Sequence, residues 1–148
     1  MSVAQGIPQI PTQIVTFFLE DSLCGIDVSL VQEVTRSTDV TPVPLAPFYV
    51  AGILNLRGHL ITVMHLAAKM NIGHTPTQIQ GPCIIVKHGQ ELLGLLVDEL
   101  REVLPVHPDH VQAPPSSLRE KHGSDFSHVL RTDREIIGIL HPDEVFKV

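Results

Sequence analysis

The chain reads as a mostly β protein with short helices, built as two small subdomains packed on one another, and three observations lead there. Its apolar stock is 43 % of 148 residues with only 4 % aromatic and no Trp, so Val, Ile and Leu must build the core, which favours strands. The apolar residues come in strand-length runs such as IVTFFL and CIIVK, bounded by short polar turns. One stretch also occurs twice: LCGIDVSLVQEV (Leu23 to Val34) lies over LLGLLVDELREV (Leu92 to Val103), sharing Leu, Gly, Val, Glu and Val. Each half is near the ~60-residue size at which a core is marginal alone, so the halves must pack together.

In chain order, residues 1–13 are polar and Pro-containing and read as a flexible tail, leaving 14–148 as the folded domain. Ile14 to Leu19 and Leu23 to Val28 form a hairpin across Glu20-Asp21-Ser22. Ser29 with Gln32 fits a capping box, predicting a short helix with Leu30, Val31 and Val34 on one side and Glu33 at its edge. Thr41 to Pro47 is extended and proline-punctuated, and Pro47 to Ala51 predicts one helical turn closed by Gly52. Gly52 to Leu56 and Leu60 to Leu66 are strands around Arg57-Gly58-His59, where Gly58 supplies the positive φ of a tight reversal. Ala67 to Met70 adds a turn of helix. The Gly-, Thr-, Gln- and Pro-rich loop that follows sets the subdomain boundary, giving subdomains of about 14–72 and 82–148 linked by 73–81. Cys83 to Lys87 and Leu92 to Val97 are strands turning at His88-Gly89-Gln90, and Glu99 to Leu104 leads to Pro105. Val106 to Ser124 is polar with three prolines and reads as mobile. Phe126 to Leu130 and Ile136 to Leu140 are the last strands.

Composition excludes several functions. A formal charge of −6 without a Lys/Arg cluster argues against nucleic acid. No apolar run reaches the ~18 residues of a membrane helix, and the N-terminus has no basic start or apolar signal core, so a cytoplasmic location without direct membrane insertion is expected. Cys24 and Cys83 sit singly in strand-like runs and read as buried reduced thiols rather than a disulfide. Among nine His, His59 and His65 would lie about 20 Å apart along one strand, too far for one metal ion. His107 and His110 have no third ligand at a usable spacing. No HExxH, GxSxG, P-loop or GxGxxG is present, and no cofactor is expected. An enzyme using the histidines, or a Cys-His pair distant in sequence, is the competing class.

Arg57 is the one cation of the stretch Ala51 to Leu66. Its guanidinium is a rigid fork suited to a carboxylate. The plainer reading is a solvated Arg on a surface hairpin.

Taken together, FFLEDSLCGIDVSLVQEV, TPVPLAPFYVAGILNLRG and ELLGLLVDELREV resemble the CheW family of chemotaxis coupling proteins, over about Ile14 to Phe146, with Asn55-Leu56-Arg57-Gly58 the most specific part. The resemblance implies two packed, SH3-like, five-stranded β-barrels and a non-enzymatic adaptor that links the cytoplasmic tip of chemoreceptors to the regulatory domain of a CheA-type histidine kinase. It places Glu33 and Arg57 on the receptor-facing surface and Val31 and Val103 in the same neighbourhood. Gly52 and Gly58 set the backbone there, and Asn55 belongs to the same partner-binding group. Glu33 and Arg57 are expected to interact as a polar lip on an apolar groove, or else to brace the barrel. The chain departs from the family pattern at Thr62-Val63-Met64-His65-Leu66, where PVxDL is common, and at His141, where Asp is frequent. A CheW-like regulator of a specialised chemosensory or pilus pathway, binding the kinase alone, is the alternative.

Overall fold

A computed structural model describes residues 9–36, 39–73 and 81–148. Most of the expected tail and of the 73–81 linker lies outside the described residues. The strands are β1 (Gln13–Leu19), β2 (Ser22–Asp27), β3 (Val31–Arg36), β4 (Val50–Leu56), β5 (His59–His65), β6 (Pro82–His88), β7 (Glu91–Leu96), β8 (Glu99–Pro105), β9 (Val111–Gln112), β10 (Phe126–Arg131) and β11 (Ile136–Leu140). The helices are α1 (Leu66–Lys69), α2 (Ser116–His122) and α3 (Pro142–Val145). They form a six-stranded sheet, β8-β1-β2-β11-β10-β9, and a five-stranded sheet, β3-β6-β7-β5-β4. The mostly β, two-sheet expectation is met, with one strand more than five in the first sheet.

The sheets do not divide the chain at 73–81 as expected. Each hairpin keeps its own sheet, but the strand after it leaves. β3 follows β2 in sequence yet pairs with β6, and β8 follows β7 yet pairs with β1. The later hairpins cross as well, β5 running parallel to β7 and β11 parallel to β2. The repeated stretch is this exchange: it spans β2 to β3 in one copy and β7 to β8 in the other. Only the three residues Val28–Leu30 separate β2 from β3, and Val97-Asp98 separate β7 from β8.

This strand exchange corrects the expected helix at Ser29. Asp27, not Ser29, is the cap: its Oδ1 accepts from Ser29 N–H at 2.9 Å and from Ser29 Oγ at 2.8 Å. The 3-10 turn ends at Leu30, and Val31–Arg36 alternates half-buried and exposed, a strand period. The turn expected at Pro47 is a β-turn closed by Val50 N–H on the Pro47 carbonyl, with Gly52 inside β4. The segment expected to be mobile holds a 3-10 turn, β9 and α2, the last pinned by Leu118 against the central core.

Three cores explain why the strands read as unbroken apolar runs. Cys83 and Ile85 of β6 face a core inside the five-stranded sheet, with Leu54, Ile61 and Val63. Ile84 and Val86 face a central core with Phe17, Met64, Leu95 and Phe146. Ile137 and Ile139 of β11 face a core inside the six-stranded sheet, with Ile14 and Leu130. Strands buried on both faces lose the polar half of the alternation.

Both sheets curl until their edges meet. In the five-stranded sheet, the chain after β3 returns as Thr41, which exchanges two backbone hydrogen bonds of 2.8 Å with Ile53 of β4. In the six-stranded sheet the chain after β8 returns as β9 and pairs with β10. Gly52 makes the first closure possible, since a Cβ there would stand 2.2 Å from the Thr41 carbonyl oxygen.

Candidate functional site

The site is built where the five-stranded sheet closes. Leu56 and His59 are the last paired residues of β4 and β5, so Arg57 and Gly58 form a two-residue turn. Both have positive φ, 53° and 84°, the type I′ geometry that matches the twist of a hairpin. Asn55 Oδ1 accepts from Gly58 N–H at 3.1 Å and braces the turn. Gly58 adopts this backbone freely, whereas a non-glycine residue there is strained by about 1 kcal/mol. An arginine at a position that Asn or Gly fills more cheaply points to a use for the guanidinium.

That use is visible. Arg57 Nη2 donates to Glu33 Oε1 at 3.1 Å, and Nη1 donates to Glu33 Oε2, a two-pronged pair. Glu33 lies on β3 and Arg57 at the tip of β4–β5, the two edges of one sheet. In a flat sheet of five strands those edges would stand about 19 Å apart; here they touch. Hydrogen bonding from Arg57 holds the Glu33 carboxyl below the usual carboxylate range, and the same bond to Glu33 raises Arg57. The Arg57 side chain remains 71 % exposed against 28 % for Glu33. The charge is thus positioned and still presented to solvent.

Leu60, two residues past the turn at Gly58, is 74 % exposed, and Val34, on the face of β3 opposite Glu33, is 44 % exposed. A cleft of about 580 Å³ lies on this sheet, lined among others by Gln32, His59, Leu60 and Leu92. Val31 is half-buried and packs on the central core. Gly52 serves the barrel closure. Val103 stands apart: it is on β8, the edge of the other sheet, opposite Val15. The geometry therefore joins Glu33, Asn55, Arg57 and Gly58 directly, and does not join Val103 to them.

A second edge-to-tip contact escapes a motif search. Arg101 of β8 approaches Glu135, just before β11, with Nη2 to Oε1 at 3.5 Å. The repeat places Arg101 over Gln32, one residue before Glu33, and that alignment is the one sequence signal for it.

The histidines and cysteines make no comparable site. Among the described residues no group of three His, Cys, Asp or Glu is placed to hold a metal ion. Burial pushes the thiols of Cys24 and Cys83 up to about 12, so the thiolate a nucleophile requires is disfavoured at both. No helix among the described residues is long and apolar enough to cross a membrane.

Comparison with known proteins places this geometry. The CheW-like domain model matches residues 13–148. The chemotaxis protein CheW of Treponema pallidum is 31 % identical over 139 residues, covering 90 % of this chain and 81 % of that protein. Protein PilI of Pseudomonas aeruginosa is 31 % identical over 87 residues, covering 57 % and 49 %. The crystal structure of the scaffolding protein TtCheW from Thermoanaerobacter tengcongensis superposes with a TM-score of 0.81 at 31 % identity, covering 94 % of each chain. The chain belongs to the CheW-like domain family and is a scaffolding adaptor of chemotaxis.

Proposed function

We propose that this adaptor is non-enzymatic and cytoplasmic, and that it couples the cytoplasmic tip of a chemoreceptor to the regulatory domain of a CheA-type histidine kinase. The observation that carries the receptor half is the Glu33–Arg57 pair, held on a strained turn with the guanidinium facing solvent. A receptor tip is a helical bundle, and helices dock by laying an apolar stripe into a groove with polar edges. Leu60 supplies apolar contact, and the ion pair supplies the polar lip and fixes orientation. Val31 supports this surface from the core side, and Gly52, Asn55 and Gly58 hold its backbone. Val103 stands on the six-stranded sheet, apart from these residues.

The alternative reading is a CheW-like regulator of a specialised chemosensory or pilus pathway that binds the kinase alone. Calorimetric titration of the intact protein against each partner separates the two. Saturable binding to both the kinase domain and the receptor fragment is expected; binding to the kinase alone would assign the pilus-type role, and binding to neither would refute both.

A further inference from the structure

The six-stranded sheet holds a cavity of about 350 Å³. It begins at a β-bulge. Register slips in β10 between Phe126, opposite Leu140, and His128, opposite Ile139, leaving Ser127 unpaired. Neighbouring residues of a regular strand face opposite ways, and a bulge re-aims them. Here Ser127 Oγ and His128 Nδ1 stand 3.0 Å apart, and both residues line the cavity. Ser127 Oγ also lies 3.4 Å from the Ile139 carbonyl, to which it donates.

The corresponding bulge in the five-stranded sheet falls between Val50 and Gly52, and there the Thr41 backbone lies directly on Gly52. In the six-stranded sheet the returning segment pairs with β10 only at Val111 and Gln112, and Ala113 and Pro114 beyond that pairing line the cavity. Arg119 of α2 and the almost fully buried His141 complete the polar wall, and Phe126 forms apolar wall. Among the described residues no carboxylate lines the cavity. The nearest along the strand, Asp125, lies within the field of His122, Glu144, Lys69 and Lys147, and burial raises its pKa.

We propose that this cavity binds a small organic oxyanion, a carboxylate or phosphate ester on an apolar body, with Arg119 and His128 on the charged end and Phe126 against the body. In the free protein burial and the neighbouring His141 lower the pKa of His128. An anion supplies the missing counter-charge and raises it, so binding takes up a proton and tightens as pH falls.

The test is imidazole-detected NMR of the intact protein titrated separately with phenyl phosphate and with benzoate, at pH 6 and pH 8. The expected result is saturable shifts of His128 and His141 with at least one probe, roughly tenfold tighter at pH 6. His128→Gln and Arg119→Gln should each weaken binding by about tenfold while the thermal midpoint stays in place. Absence of shifts with both probes, pH-independent binding, or equal affinity in the folded His128→Gln variant would overturn the proposal.

Discussion

The β4–β5 and β10–β11 hairpins hold the same place in their two sheets, yet the chain finishes them in opposite ways. Each hairpin tip is tied to the strand that its own half of the chain contributes at the far side of the sheet. In the five-stranded sheet the tip supplies the cation and the strand the carboxylate, Arg57 to Glu33. In the six-stranded sheet the polarity is reversed, Glu135 to Arg101. The first tie is two-pronged, sits on a strained two-residue turn and leaves its arginine largely exposed. The second is a single 3.5 Å contact at a longer turn, with both side chains about one-third exposed. A tie needed only to close a sheet is served by the second kind. The first keeps a strained backbone and presents a guanidinium to solvent, which is the observation the proposed receptor surface rests on.

The bulges differ in the same sense. Thr41 closes tightly on Gly52, while Ser127 and His128 face open volume. Gly52→Val should therefore destabilise the protein by about 3 kcal/mol or more, because backbone must move to admit the side chain. Ser127→Val, at the equivalent bulge, should cost about 1 kcal/mol. Urea unfolding of the two variants checks the contrast, and equal losses would erase it.

Acid should break the first tie at a pH set by its geometry. The Glu33 carboxyl is held below its ordinary value of 4.5 by Arg57, so its contribution to stability is complete above that value and is lost as pH falls through the lowered one. Carbonyl-detected NMR of Glu33 should show a depressed midpoint that returns to the ordinary range in Arg57→Ala. A midpoint that does not move would mean the pair is absent in solution. Smallest of all should be Arg101→Ala, within ~0.5 kcal/mol of the parent by urea unfolding, as expected for a partly exposed single contact.

Much of this was legible in the sequence. Apolar runs located most strands, and Asn55 to Gly58 located the turn and its arginine. The repeat told that two related units exist, but not that they trade strands, because pairing partners are set by packing between strands distant in the chain. The same blindness misread Ser29 to Val34 as a helix. Leu30, Val31 and Val34 suit either period, and the pairing of β3 with β6 decided it. Glu33 and Arg57 could be matched as chemistry, while their contact depended on a sheet curling shut. Val103 could be matched by motif alone, and the fold set it on another edge. The Ser127–His128 cavity left no motif, since a bulge is a shift of register rather than a residue pattern.

The most direct test is calorimetric titration of a receptor-tip fragment into the parent protein and into Arg57→Gly, with the unfolding midpoint of each recorded alongside. Glycine relieves the turn, so the midpoint should hold or rise, while receptor affinity falls by about tenfold or more. A variant that binds the receptor as tightly as the parent, or that loses stability and affinity together, would contradict the claim that this arginine is kept for a partner.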